Sequence, residues 1–286
     1  MAGRALAVTV VLAGLVLAGC VSGPVQAPPS KATLLPAPIT LNIGARDCLN
    51  FILFQFLPFA AADAFLPPGY HARDPKDFLN SPAATGQAAA VVFLLDCASR
   101  DADGKPWVSG YSGVYVEPPA VPDTPDAVPL NFYEVEHFGE ELNGTLASLG
   151  WPVHASNVSV ARNTVSQDTV GKSGSITDAN GLLFQFFATA AAPYQLALGP
   201  VRLWHETPKG TGYFQYNATL DAQFGPVVCI LPQYGTVLGA LIGEPTRLPN
   251  GGNLVACAPD RARLGATFPN LSFLGEFRFL PGVHAR

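Results

Sequence analysis

Three histidines fall on segments with the composition of β-strands, His137, His154 and His205, and carboxylates lie close to them in the chain: Glu134, Glu136, Glu140, Glu141 and Glu206. An imidazole beside a carboxylate is the pairing that general acid–base chemistry uses. Strand geometry argues against these pairs, because successive side chains point to opposite faces. In Trp204-His205-Glu206 the histidine faces away from both neighbours, and the same alternation separates His137 from the glutamates in Glu134-Val135-Glu136-His137. A lone strand histidine is more often a satisfied structural or surface residue than a catalytic one. Ser112, Ser148, Ser156 and Ser173 have no visible partner, and the chain contains no GxSxG, HExxH, GxxxxGK[ST] or GxGxxG. No catalytic residue, cofactor or metal is therefore expected.

At the N-terminus, Arg4 precedes an uncharged apolar run from Ala5 to Ala18 that closes on Ala18 and Gly19, the outline of a signal peptide. The run is shorter than the roughly 20 residues that span a hydrocarbon core. The junction Leu17-Ala18-Gly19-Cys20 resembles the lipobox of prokaryotic lipoproteins, in which the cysteine thiol is alkylated with diacylglycerol and the peptide is cut just before it. Residues 1–19 are thus expected to be a lipoprotein signal peptide and Cys20 the lipid attachment site. Each buried methylene contributes about 0.8 kcal/mol, and two acyl chains anchor durably. The expected location is the extracytoplasmic face of a cell membrane or outer membrane. An ordinary secretory signal with a chance cysteine at the cleavage point would instead release a soluble protein. Residues 20–40, rich in Pro, Ala and Ser, read as an extended tether, and residues 41–286 as a single β-rich domain.

The folded part carries a large apolar content, 49% of the chain, and only 13% charged residues, about half the usual share. Such a composition implies either a large buried interior or a surface that meets something apolar. The net charge of −5 comes without a basic stripe, so nucleic acid is not an expected partner. Nothing marks an oligomer interface. Trp107, between Pro106 and a following strand, reads as an exposed hairpin residue or a packed turn. Four cysteines, Cys48, Cys97, Cys229 and Cys257, remain after Cys20. An even number outside the cytoplasm reads as two disulfides with three possible connectivities, and Cys48–Cys97 with Cys229–Cys257 places each pair at the ends of neighbouring predicted strands. No two are spaced as CxxC, so zinc is not expected. Asn143, Asn157, Asn217 and Asn270 begin Asn-X-Ser/Thr sequons.

Short runs of aromatic and branched residues separated by Gly, Pro and Asn predict a mainly β protein of barrel or sandwich type. The predicted strands are 49–56, 88–97, 108–116, 131–137, 153–162, 173–177, 182–189, 201–206, 212–220 and 273–279. Two short helices are predicted, 59–65, ended by Pro67-Pro68-Gly69, and 139–149.

Phe65-Leu66-Pro67-Pro68-Gly69-Tyr70 resembles the element that closes the first helix in the acetoacetate decarboxylase-like family. Val108 to Val116 (VSGYSGVYV) is similar to a later strand of that family, and Glu140 to Val158, with Gly150-Trp151-Pro152, resembles its signature segment. The resemblance spans most of residues 48–280. It implies a closed or partly open antiparallel β-barrel with a few short helices around a small-molecule cavity, with Tyr111, Trp151, His154 and Arg202 near that cavity. It also exposes two departures. The family forms a Schiff base through the lysine directly after Gly-aromatic-Pro, where this chain has Val153, and its acidic residue two positions after the strand tyrosine falls here on Gly113. The five lysines, Lys31, Lys76, Lys105, Lys172 and Lys209, fall in the tether or in predicted turns and loops.

Three readings follow. The first is a lipid-anchored barrel that binds a small, mostly apolar ligand without Schiff-base catalysis. The second is a structural or interaction lipoprotein of the cell envelope with a packed core. The third is a lyase or hydrolase using His154 and a carboxylate. The loss of the lysine favours a binding protein over an enzyme.

Overall fold

The first strand among the described residues is β1 (Ile39–Leu57), 19 residues long, which starts two residues before Leu41. The computed structural model describes residues 36–79, 84–101, 103–122, 124, 128, 130–139, 144–164, 169–191, 196–198, 200–216, 220–225, 227–233, 235–243, 263–267 and 271–286. Among these, the further strands are β2 (Ala88–Arg100), β3 (Trp107–Tyr115), β4 (Leu130–Gly139), β5 (Val153–His154), β6 (Asn157–Thr164), β7 (Thr169–Asp178) and β8 (Gly181–Ala191). They are followed by β9 (Leu196–Leu198), β10 (Val201–Thr207), β11 (Gly210–Tyr216), β12 (Leu220–Gly225), β13 (Val227–Pro232), β14 (Arg263–Thr267) and β15 (Leu271–Pro281). The helices are α1 (Phe59–Asp63), α2 (Thr145–Leu149) and α3 (Val237–Ile242). Both predicted helices form in shortened versions, and the predicted strand over 153–162 is two, β5 and β6.

Seven strands close on themselves in the order β1-β2-β3-β4-β10-β11-β15, with β15 returning to β1 from Ile39↔Phe279 to Cys48↔Leu271. Closure leaves no exposed ladder edge around the ring. The barrel is mixed rather than purely antiparallel, because β10 runs parallel to β4 from Val201↔Leu130 to Trp204↔Tyr133. A parallel neighbour needs a long crossover, and β5 to β9 supply it. Past an irregularity between Ala45 and Cys48, β1 leaves β15 and pairs with β14, Ile52 facing Ala266.

A second sheet, β13-β8-β7-β6, covers the outer face of the barrel's first strands. Along β1, Ile52, Phe54 and Phe56 point into the barrel while Phe51 and Leu53 point outward to the second sheet; along β2, Ala89 and Val91 point in while Ala90, Val92 and Leu94 point out. Phe51 stacks on Phe186 of β8 with ring centroids 3.7 Å apart. Both faces of these strands are buried, so they read as unbroken apolar runs rather than alternating ones. Each such side chain contributes on the order of 1.5–3 kcal/mol of burial. The low charge content thus reflects two apolar interiors.

Cys48 and Cys97 sit opposite one another across β1 and β2 and form a disulfide. Trp107, the next register partner of Cys97, is buried with its ring against Phe273, so it is the packed turn. The expected Cys229–Cys257 pairing falls outside the described residues, as do Cys20 and the rest of residues 1–35. No helix among the described residues is long and apolar enough to cross a membrane.

Candidate functional site

The site begins with a register break. Strand β3 pairs Ser112 with Glu136 and then Gly113 with Glu134, so Val135 is an extra residue on β4. A bulge of this kind resets which face later residues point to. Leu130 and Phe132 point into the barrel and Glu134 continues their face; beyond the bulge His137 points inward as well. The separation of Glu134 from His137 expected from strict alternation is therefore overturned.

Nδ1 of His137 lies 2.7 Å from Oε1 of Glu134, and Nε2 lies 3.3 Å from Oγ of Ser109 on β3. The indole Nε1 of Trp151 donates to Oε2 of Glu134 at 2.8 Å, which occupies the second carboxylate oxygen. Nδ1 of His205 donates to the Glu134 carbonyl at 2.7 Å. Glu134 is wholly buried, and Ser109, His137, Trp151 and His205 nearly so. A carboxylate only accepts, so in the neutral ring of His137 the Nδ1 proton faces Glu134 and the Nε2 lone pair faces the Ser109 hydroxyl. Burial lowers the pKa of His205, against a smaller opposing pull from Glu134.

Local sequence positions each group. A Cβ at Gly113 would lie 2.4 Å from the Tyr133 carbonyl oxygen, so position 113 cannot carry an acid, and Glu134 supplies a carboxylate from directly across the register. The helix α2 ends at Gly150 in the left-handed region and delivers Trp151 into the barrel, where its ring lies 4.7 Å from that of His205 and edge-on to Phe214 and Phe277. A Cβ at Gly212, opposite His205, would lie 2.7 Å from the indole; only glycine leaves room for it. Because β5 runs parallel to β4 with Val153 beside His137 and His154 beside Phe138, Val153 takes the inward place and His154 the outward one.

Next to this network the barrel holds a partly open cavity of about 50 Å³. Ile52, Phe54, Val91, Phe93, Phe132 and Phe273 are among its apolar walls. The polar groups in its lining are the phenols of Tyr111 and Tyr216, and no lysine or arginine is among the described lining residues. Burial raises both phenol pKa values, Glu134 adding to the effect in each case, so both stay protonated as donors at neutral pH. Tyr111 faces His137 across β3 and β4 and so marks the end of the cavity nearest the Glu134 network.

Of the four residues expected near the cavity, two are brought together. Tyr111 lines it and Trp151 anchors Glu134 beside it. His154 lies outside, about half exposed, with Nε2 3.0 Å from Oε1 of Glu136 and its ring against Phe138. Burial raises the pKa of Glu136, and His154 partly offsets that. Arg202 also faces outward, over the rings of Trp204 and Tyr213, with Nη2 donating to Gln215 at 2.6 Å. Lys172, expected in a loop, is buried on β7 of the second sheet, where desolvation lowers its pKa. The trio that sequence reasoning missed, Ser109 with His137 and Glu134, carried one signal: a glycine at 113 facing the acidic strand.

No family model matches the chain, and no curated protein matches it. Among solved structures it is similar to the enduracididine biosynthesis enzyme MppR, at 15% identity over 93% of this chain and 97% of that one, with a TM-score of 0.48. It is similar to an acetoacetate decarboxylase at 12% identity, 88% and 91% coverage and a TM-score of 0.47. An acetoacetate decarboxylase-like enzyme from Sphingomonas wittichii RW1 aligns at 11% identity, 92% and 99% coverage and a TM-score of 0.48.

Proposed function

We propose that this chain is an exported lipoprotein, held by a lipid on Cys20 at the extracytoplasmic face of a cell membrane or outer membrane, whose barrel binds a small, neutral, mostly apolar molecule with one hydrogen-bond acceptor. The N-terminal pattern supports the anchor, and the Cys48–Cys97 disulfide fits an oxidising compartment. The observation that carries the binding reading is the cavity itself: apolar walls, two protonated phenols and no cation among the described lining residues. A carboxylate ligand would enter the field of buried Glu134 without a counter-charge, which disfavours acids. The volume, several times the roughly 10–15 Å³ that one water needs, suits a molecule of a few heavy atoms. At the position that the resemblance gives to the Schiff-base lysine stands Val153, which faces inward and cannot form an imine.

The test is a thermal-shift series on the purified full chain with short-chain ketones and carboxylates of matched length. Stabilisation by the neutral compounds and none by the acids is the expected result. Equal or greater stabilisation by the acids would remove the case for a neutral ligand.

A further inference from the structure

Buried polar networks are satisfied in two ways: by closing on themselves, or by leaving one reactive atom at the end of a chain. The network around Glu134 is of the second kind. Trp151 holds one carboxylate oxygen and His137 the other, which fixes the imidazole orientation and its tautomer. The remaining ring nitrogen meets Oγ of Ser109, a hydroxyl with no charged partner among the described residues. Hydroxyl, imidazole and carboxylate in that order, each within reach of the next, are the arrangement that activates a serine. From this geometry we infer that Ser109, His137 and Glu134 form an acyl-transfer triad that hydrolyses short-chain carboxylic esters.

The inference rests on the cavity as the binding site, since the cavity receives the acyl group. Ser109 and Tyr111 share a face of β3, two residues and therefore about 7 Å apart. An ester whose acyl chain fills the apolar walls thus has its carbonyl at the Tyr111 end, toward Ser109. Oγ of Ser109 adds to the carbonyl carbon while its proton passes to Nε2 of His137, and Glu134 stabilises the imidazolium. The Tyr111 hydroxyl, protonated and without a hydrogen bond among the described residues, is the donor on the cavity side for the developing oxyanion. Collapse breaks the ester C–O bond, and the departing alkoxide takes the proton from His137. Water then repeats the sequence on the acyl-serine, with His137 as base, to release the acid and free Ser109. The acid leaves a site that disfavours anions, so product does not accumulate there.

The experiment uses the full chain, with p-nitrophenyl acetate as substrate and a fluorophosphonate as covalent probe. Turnover and a phosphonyl adduct mapped to Ser109 are expected. Ser109→Ala, which removes one buried hydroxyl, should lose both, with turnover down about 10³-fold or more. His137→Asn should lose turnover with the melting temperature tracked beside it, and Ser109→Cys should restore a measurable acylation. Absence of any Ser109 adduct, or turnover unchanged in Ser109→Ala, overturns the triad even if neutral ligands still stabilise the fold. A Ser109 adduct in a protein that no neutral ligand stabilises supports the triad and contradicts the ligand-binding reading instead.

Discussion

His137 and Glu134 are three residues apart on one strand, yet Nδ1 of the first lies 2.7 Å from Oε1 of the second inside the barrel. A regular strand would place them on opposite faces; the bulge at Val135 places them on the same one. The barrel interior therefore holds an acid–imidazole pair whose members an unbulged β4 would keep apart.

Glu134 should be among the most costly residues to truncate. Glu134→Ala leaves His137 and the Trp151 indole without their acceptor in a buried site, and each buried donor left unsatisfied costs about 1–3 kcal/mol. Urea titration followed by tryptophan fluorescence measures both the loss and the changed surroundings of Trp151. A loss under about 1 kcal/mol would contradict the placement of this carboxylate.

The two phenols should discriminate among ligands. Tyr111→Phe and Tyr216→Phe keep the apolar walls and remove a donor, so affinity for a neutral ketone should fall by about tenfold, the effect of one hydrogen bond, while a hydrocarbon of the same shape binds as before. Calorimetric titration with such a matched pair checks this.

His154 should matter little. Its ion pair with Glu136 is half exposed, and such pairs contribute up to about 1 kcal/mol, so His154→Ala should retain the fold and leave ligand binding unchanged. A loss of binding above tenfold in this variant would place the ligand outside the barrel.

Reduction of the Cys48–Cys97 disulfide should be visible in the melting curve. The bridge spans a sequence separation of 49 residues, and the loop-entropy relation gives about 4 kcal/mol for a loop of that size. Paired replacement of both cysteines by alanine should lower Tm by on the order of 10 °C.

Acid should weaken the fold through His205. Its native pKa is lowered by burial, so below about 6.5 the unfolded chain binds a proton that the folded chain refuses. This contribution is complete above 6.5 and declines as pH falls toward the native pKa. Stability measured against pH should fall in that window, and His205→Gln should flatten the slope there whatever its effect on absolute stability.

Much of the barrel was legible because its strands announce themselves by composition. β2, β3, β4, β8, β10 and β15 follow runs such as Ala88 to Cys97 and Phe273 to Phe279, and the short helix before Pro67-Pro68 stops for the reason proline dictates. The pairing of Cys48 with Cys97 was readable from their places at two strand ends. What was not legible depends on register. Nothing in the letters around Val135 marks it as the extra residue, and without the bulge Glu134 and His137 look like strangers. The parallel alignment of β5 with β4, which turns His154 outward and Val153 inward, is set by two residues of pairing. Arg202 reads as a cavity cation only until the outward face of β10 is known, where the Trp204 and Tyr213 rings enclose it.

The central claim is that the barrel cavity takes a neutral apolar molecule, and native mass spectrometry of the intact chain tests it most directly. With a short-chain ketone supplied in excess, one bound molecule per chain, released on unfolding, is the predicted result. A bare protein mass with every ketone, or a carboxylate retained in preference to the ketone of matched length, would contradict it.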